Sequence, residues 1–217
     1  MQIAYIRIVT HKGEVKMRSI SSRFFLPLAV AGLCITAFIS AAGQDQPKGG
    51  DVVHAVAGVV KKVDSAAKTI AIETADGTEH VFKYTAKTTM HASKDVAMGA
   101  KTGAVDTYMA GKEGTRVVVH YTEKGADKTA VGVDDFGKDA LKEGKGTVTH
   151  VDKAARTVTV KAADGTEDTY HVAKDATVDA GHGVVKSSEW TAKEGDHVVV
   201  HYTEEGGKKV VHLFKWL

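Results

Sequence analysis

"GVVKKVDSAAKTIAIETADGTE", Gly58–Glu79, returns 88 positions later as "GTVTHVDKAARTVTVKAADGTE", Gly146–Glu167, with 12 of 22 residues identical. A second block, "KEGTRVVVHYTE" at Lys112–Glu123, returns 81 positions later at Lys193–Glu204 with 10 of 12 identical. Two such blocks in the same order mark a duplicated structural unit. The unequal offsets place a seven-residue shortening in the connection between the blocks of the second unit.

Within each unit the residues alternate with the period of a strand. Ile70 and Ile72 share one face, as do Val158 and Val160; Phe82 with Tyr84, and Tyr170 with Val172, do the same on the following segment. Asp-Gly stands between these runs in both copies, a hairpin signal that predicts a type I′ turn with φ > 0. "VVVHYTE" puts Val117, Val119 and Tyr121 on one side and Arg116, Val118, His120 and Thr122 on the other. A last strand is expected at Thr129–Val133 and at Val210–Trp216. One break in parity stands out. Val60 and Val63, repeated as Val148 and Val151, are three apart and cannot share a face of a regular strand. A β-bulge, such as forms where a strand bends around a small barrel, reconciles them. "SSEWTAK", Ser187–Lys193, reads as one helical turn capped by Ser with Trp190 as its apolar plug.

The fold class is therefore all-β: two tandem small five-stranded barrels after an N-terminal signal segment, with one long connection between the third and fourth strands. That count suits an OB-type barrel, with an SH3-like barrel as the alternative. The expected divisions are 1–43 for an N-terminal extension and signal segment, 44–54 for a linker, 55–136 for the first barrel, 137–145 for a second linker and 146–217 for the second barrel.

Lys16, Arg18 and Arg23 precede the uncharged run Phe24–Ser40, and Ala41, Ala42 and Gly43 follow it. A basic flank, an apolar stretch and small residues make a secretory signal, and Met17 is an alternative start to Met1. Left uncleaved, the 17-residue run would be a short membrane anchor. Either way the remainder is exported, to the periplasm or beyond. The single cysteine, Cys34, lies inside this segment, so the exported part has no disulfide or thiolate chemistry. Residues 44–217 hold 24 basic and 26 acidic residues, a net charge of −2 with neutral histidines. No basic field remains to attract nucleic acid.

The pattern "G-x-V-x-x-V-D … T-[IV]-x-[IV] … D-G … K-E-G-x-x-V-V-V" resembles a bacterial secreted family of small β-barrel domains of unknown function, and the resemblance implies export and a barrel. The first unit also resembles the periplasmic copper/silver-binding metallochaperones, which open similarly and carry His, Met and Trp ligands on the barrel. "TTMHAS", Thr88–Ser93, resembles their methionine strand, without a tryptophan beside Met90.

Ten histidines lie beyond the signal segment, and all three methionines there, Met90, Met98 and Met109, fall in the connection Thr85–Gly111. Thioether and imidazole together suit Cu(I) or Ag(I), so His80, Met90, His91 and Met98 are the candidate metal ligands. In "HVVVH", His197 and His201 would sit about 13 Å apart on a strand, too far to share an ion. They belong to an outer face or to the contact between barrels. No nucleophile elbow, helical H-E-x-x-H or Gly-rich phosphate loop occurs, and Asp64, Asp76 and their repeats sit at turns where Asp serves local hydrogen bonds. The reading is an exported, non-enzymatic envelope protein with a binding or structural role. Its expected partner is an envelope protein, peptide or polymer, and the alternative is Cu(I)/Ag(I) binding by the first barrel.

Overall fold

The computed structural model describes residues 52–92, 101–102, 105–186 and 192–217. The signal segment, Met98 and Trp190 lie outside these residues. In chain order the elements are β1 (Val53–Asp64), β2 (Thr69–Glu73), β3 (Glu79–Lys83), β4 (Thr89–Ala92), β5 (Lys101–Thr102), α1 (Val105–Met109), β6 (Arg116–Lys124) and β7 (Asp127–Asp135). The second copy supplies β8 (Lys142–Asp152), β9 (Thr157–Lys161), β10 (Glu167–Asp179), β11 (Val184–Lys186), β12 (His197–Glu205) and β13 (Lys208–Trp216).

The first sheet runs β3-β2-β1-β6-β7 and closes through a β3–β7 pairing, with β4 and β5 continuing beyond β7. The second runs β10-β13-β12-β8-β9 and closes through β10–β9, with β11 beside β10. In both copies the third strand lies parallel to the fifth, as β3 and β4 do to β7 and β10 does to β13. This is OB connectivity and decides against an SH3-like meander.

The parity break is a bulge in both copies. Val60 pairs with Ile72 but Lys62 with Ala71, so Lys61 is extra and Val63 turns back toward the core. Val148 and His150 bracket the same shift. The glycine before each bulge is fixed by space. A Cβ on Gly58 would lie 2.8 Å from the Glu73 carbonyl oxygen, and one on Gly146 would lie 2.2 Å from that of Lys161.

The Asp-Gly turns differ from the expected type I′. Only Gly77 and Gly165 have positive φ, and Gly77 N–H bonds the Thr74 carbonyl while Thr74 N–H bonds that of Thr78. The glycine thus follows a type I turn as a bulge residue. Asp76 accepts from Thr78 N–H and the Thr74 hydroxyl, bonds that hold its carboxyl down to about 2. The helix, unforeseen in the first copy, plugs one end of that barrel. Val105 and Met109 are buried in its core, and Asp106 binds Lys68 and the Tyr84 hydroxyl. The expected helical turn in the second copy falls mostly outside the described residues.

Residues from Asp45 to Leu217 form one compact unit. Each barrel has its own core, around Ile70, Phe82 and Val119 in the first and Val160, Val200 and Phe214 in the second. A third cluster joins them: Ala55, Ala57 and Val118 of the first barrel meet Phe136, Leu141 and Leu213. β8 opens at Lys142, inside the segment expected to be a linker. Among the described residues no helix is long and apolar enough to cross a membrane.

Candidate functional site

Met90 and His91 are adjacent on β4, so alternation sends them to opposite sides. Met90 is 2% exposed and packs in the core of the first barrel. His91 points outward, its Nδ1 2.9 Å from Asp134 Oδ1. His80 pairs across β2 with the core residue Ile72 and sits against the Phe82 ring at a centroid distance of 6.2 Å. Its Nδ1 is 3.3 Å from Lys128 Nζ, and burial together with that ammonium pushes its pKa down. Met90 and His91 are thus on opposite sides of β4, and the fourth candidate, Met98, lies outside the described residues. Among the described residues no group of three His, Cys, Asp or Glu side chains is arranged to hold a metal ion.

A different polar group stands on the outer face of the first barrel. Asp134 of β7 takes His91 of β4 on one carboxylate oxygen and His120 of β6 on the other, each at 2.9 Å. Burial pushes the Asp134 carboxyl up, but the imidazoles of His120 and His91 outweigh it and hold it below the usual carboxylate value. The His120 ring has room because Gly132 lies opposite; a Cβ there would already touch it at 3.7 Å. In the second copy these positions carry Asp179, Lys215, His201 and, for Gly132, Leu213. The outer face that carries this polar group in the first barrel is, in the second barrel, the face used to dock. Leu213 enters the joint cluster, and the buried Asp179 accepts the Ala55 N–H of the first barrel at 3.1 Å.

Docking leaves a groove of about 250 Å³ between the barrels. Glu73, Val59 and Arg116 line it from three adjacent strands of the first barrel; Lys142, Glu143 and His201 line it from the second. His201 is only 9% exposed. Burial, with the Lys215 charge adding to it, pushes its imidazole down to about 4. The ring is therefore neutral near pH 7, and the 3.9 Å approach of Glu143 to its Nδ1 is neither an ion pair nor a hydrogen bond. Glu73 is held by Lys61 at 3.2 Å and Lys142 by Glu204 at 2.9 Å. Arg116 and Glu143, from opposite barrels, have no opposite charge among the described residues.

Asp134, His120, Arg116 and Glu143 were not singled out from the sequence. The signal for the outer cluster was present in the repeat itself: Gly132 against Leu213 and His91 against Asp179 are differences between otherwise matching strands. The groove had no such signal, because it exists only once the barrels dock.

No protein-family model matches the sequence, and no curated protein does. Among solved structures the chain is similar to apo-CusF from Escherichia coli (residues 6–88), at 13% identity and a TM-score of 0.28, over 36% of this chain and 87% of that one. It is similar to Ag(I)CusF at 22% identity and a TM-score of 0.24, over 37% and 93%. A Cu(II) form of a CusF variant from Escherichia coli matches at 20% identity and a TM-score of 0.25, over 40% and 94%.

Proposed function

We propose that the chain is an exported binding protein of the cell envelope whose ligand occupies the groove between the two barrels. Export is supported by the basic flank, apolar run and small residues of Lys16–Gly43. The observation that carries the binding site is His201. It is a buried, neutral imidazole that lines the groove and has no hydrogen-bond partner among the described residues. A neutral imidazole offers one N–H donor and one ring-nitrogen acceptor, and both are free for a molecule bound in the groove. Native mass spectrometry of the protein purified from the envelope of its own cells tests this. A bound small molecule that His201→Ala loses is the expected result. An unadorned mass, together with a His201 ring resonance that an envelope extract fails to move, would reject the groove.

A second reading keeps Cu(I) or Ag(I) at the first barrel, and His91 favours it. Its Nδ1 is held by Asp134 and about half of its side chain is exposed, and a carboxylate orients a metal-ligating imidazole in this way. Met90 would contribute only by leaving the core. Titration with Ag(I) followed by mass spectrometry decides: in this reading His91→Ala loses a stoichiometric ion and Met90→Leu does not. Absence of stoichiometric binding at micromolar metal ends it.

A further inference from the structure

We propose that the groove between the barrels recognises a small zwitterion, a molecule of amino-acid or dipeptide size carrying one carboxylate and one ammonium. The proposal rests on the groove being the ligand site and names the chemistry that site selects. Its size comes first. A volume of about 250 Å³ is room for roughly eight waters at about 30 Å³ each, below the range of drug-sized pockets. That space suits a molecule of amino-acid or dipeptide size.

Its charges come second. Four charged residues line the groove, and two of them are neutralised within their own barrel, Glu73 by Lys61 and Lys142 by Glu204. What remains is a guanidinium on one wall, Arg116 of β6, and a carboxylate on the other, Glu143 of β8. A guanidinium presents a fork of N–H donors that matches a carboxylate. A carboxylate with no cation beside it accepts from an ammonium. Arg116 and Glu143 are both exposed, so a ligand with a single charge gains one of the two contacts and a zwitterion gains both. The neutral His201 ring in the lining supplies a hydrogen bond to the uncharged middle of the ligand, such as an amide.

Titration of the exported chain with three probes tests this, by calorimetry and by the His201 ring resonances. Glycylglycine carries both charges, N-acetylglycylglycine lacks the ammonium, and glycylglycinamide lacks the carboxylate. Glycylglycine is expected to saturate and to move His201, with each blocked form at least tenfold weaker. Arg116→Gln is expected to remove the preference over glycylglycinamide, and Glu143→Gln the preference over N-acetylglycylglycine. Blocked forms that bind as tightly while moving His201 overturn the zwitterion and leave the groove standing. Three probes that all leave His201 unmoved also overturn it, and the native-mass experiment then judges the groove by itself.

Discussion

His201 and His120 occupy equivalent positions of the two "VVVHYTE" strands and are both largely buried, at 11% and 16% side-chain exposure. His120 is held by Asp134, whereas His201 lines the groove at the joint. This difference has a consequence for pH. The folded chain holds His201 near 4 against an ordinary value of 6.5, so between these values the unfolded chain binds the proton and the folded one does not. Stability is fully present above pH 6.5 and falls as the pH drops toward 4, by roughly 3 kcal/mol at most from this group. Urea midpoints measured from pH 7 to pH 4 are expected to decline, and His201→Leu should flatten that part of the profile. A variant with the same decline as the wild type would show that other groups cause it. Gly146 is a second position where one atom decides. Its missing Cβ would lie 2.2 Å from the Lys161 carbonyl oxygen, so Gly146→Ala must spread β8 from β9. Overpacking of this kind costs about 1–3 kcal/mol. Gly58→Ala, with 2.8 Å available, should cost less in the same denaturation experiment.

At the scale of elements, much of the barrel was legible because strands obey a period of two. Val60 and Val63 broke that period, and the break alone located the bulge. The Asp-Gly turns were legible as turns but not by type, since the Thr74 and Asp76 side chains stabilise a type I turn that the dipeptide does not encode. Met90 and His91 looked like neighbouring ligands in the sequence. Once β4 is a strand, adjacency means separation, with one side chain in the core and one on the surface. Helix α1 was missed because five residues, Val105–Met109, are too few to show a helical period. Its role is to close the barrel: Val105 and Met109 point inward and Asp106 ties Lys68 and Tyr84 across the end. Burial and the Asp106 hydrogen bond push the Tyr84 hydroxyl up to about 12, so it stays protonated and donating well above neutral pH. Met109→Ala is expected to cost about 2–5 kcal/mol through the cavity it leaves, and Met109→Leu below about 1.5 kcal/mol. Thermal melts of both variants check this. Equal losses would mean that Met109 does not seal the barrel.

At the scale of the whole molecule, duplication explains why the joint was invisible in the sequence. Both copies carry nearly the same strands, so the pattern alone assigns the same role to both outer faces. The structure breaks that symmetry at three matched positions. Gly132, His91 and Asp134 make a polar outer face, and Leu213, Asp179 and Lys215 make a docking one. Small barrels bury little surface alone, and here each covers part of the other. Ala55, Ala57 and Val118 are shielded by Leu213, Phe136 and Leu141, the Phe136 ring meets His212 at 4.7 Å, and Asp179 satisfies the Ala55 N–H. Separating the halves would expose these apolar side chains and part the Ala55 N–H from Asp179 Oδ2, while Asp179 Oδ1 keeps the Gly181 N–H. We therefore expect residues 45–217 to unfold in a single transition, and residues 45–139 and 140–217, expressed apart, each to melt below it. Leu213→Ala tests the same joint inside the intact chain. It should cost about 2–5 kcal/mol, lowering the melting temperature of the whole, yet leave the melting of the isolated second half little changed, because the cluster Leu213 packs into comes largely from the other barrel. If either half melts as high as the intact protein, or if Leu213→Ala destabilises the isolated second half as much as the whole, the barrels are independent neighbours. The groove between them would then have no fixed walls with which to hold a ligand.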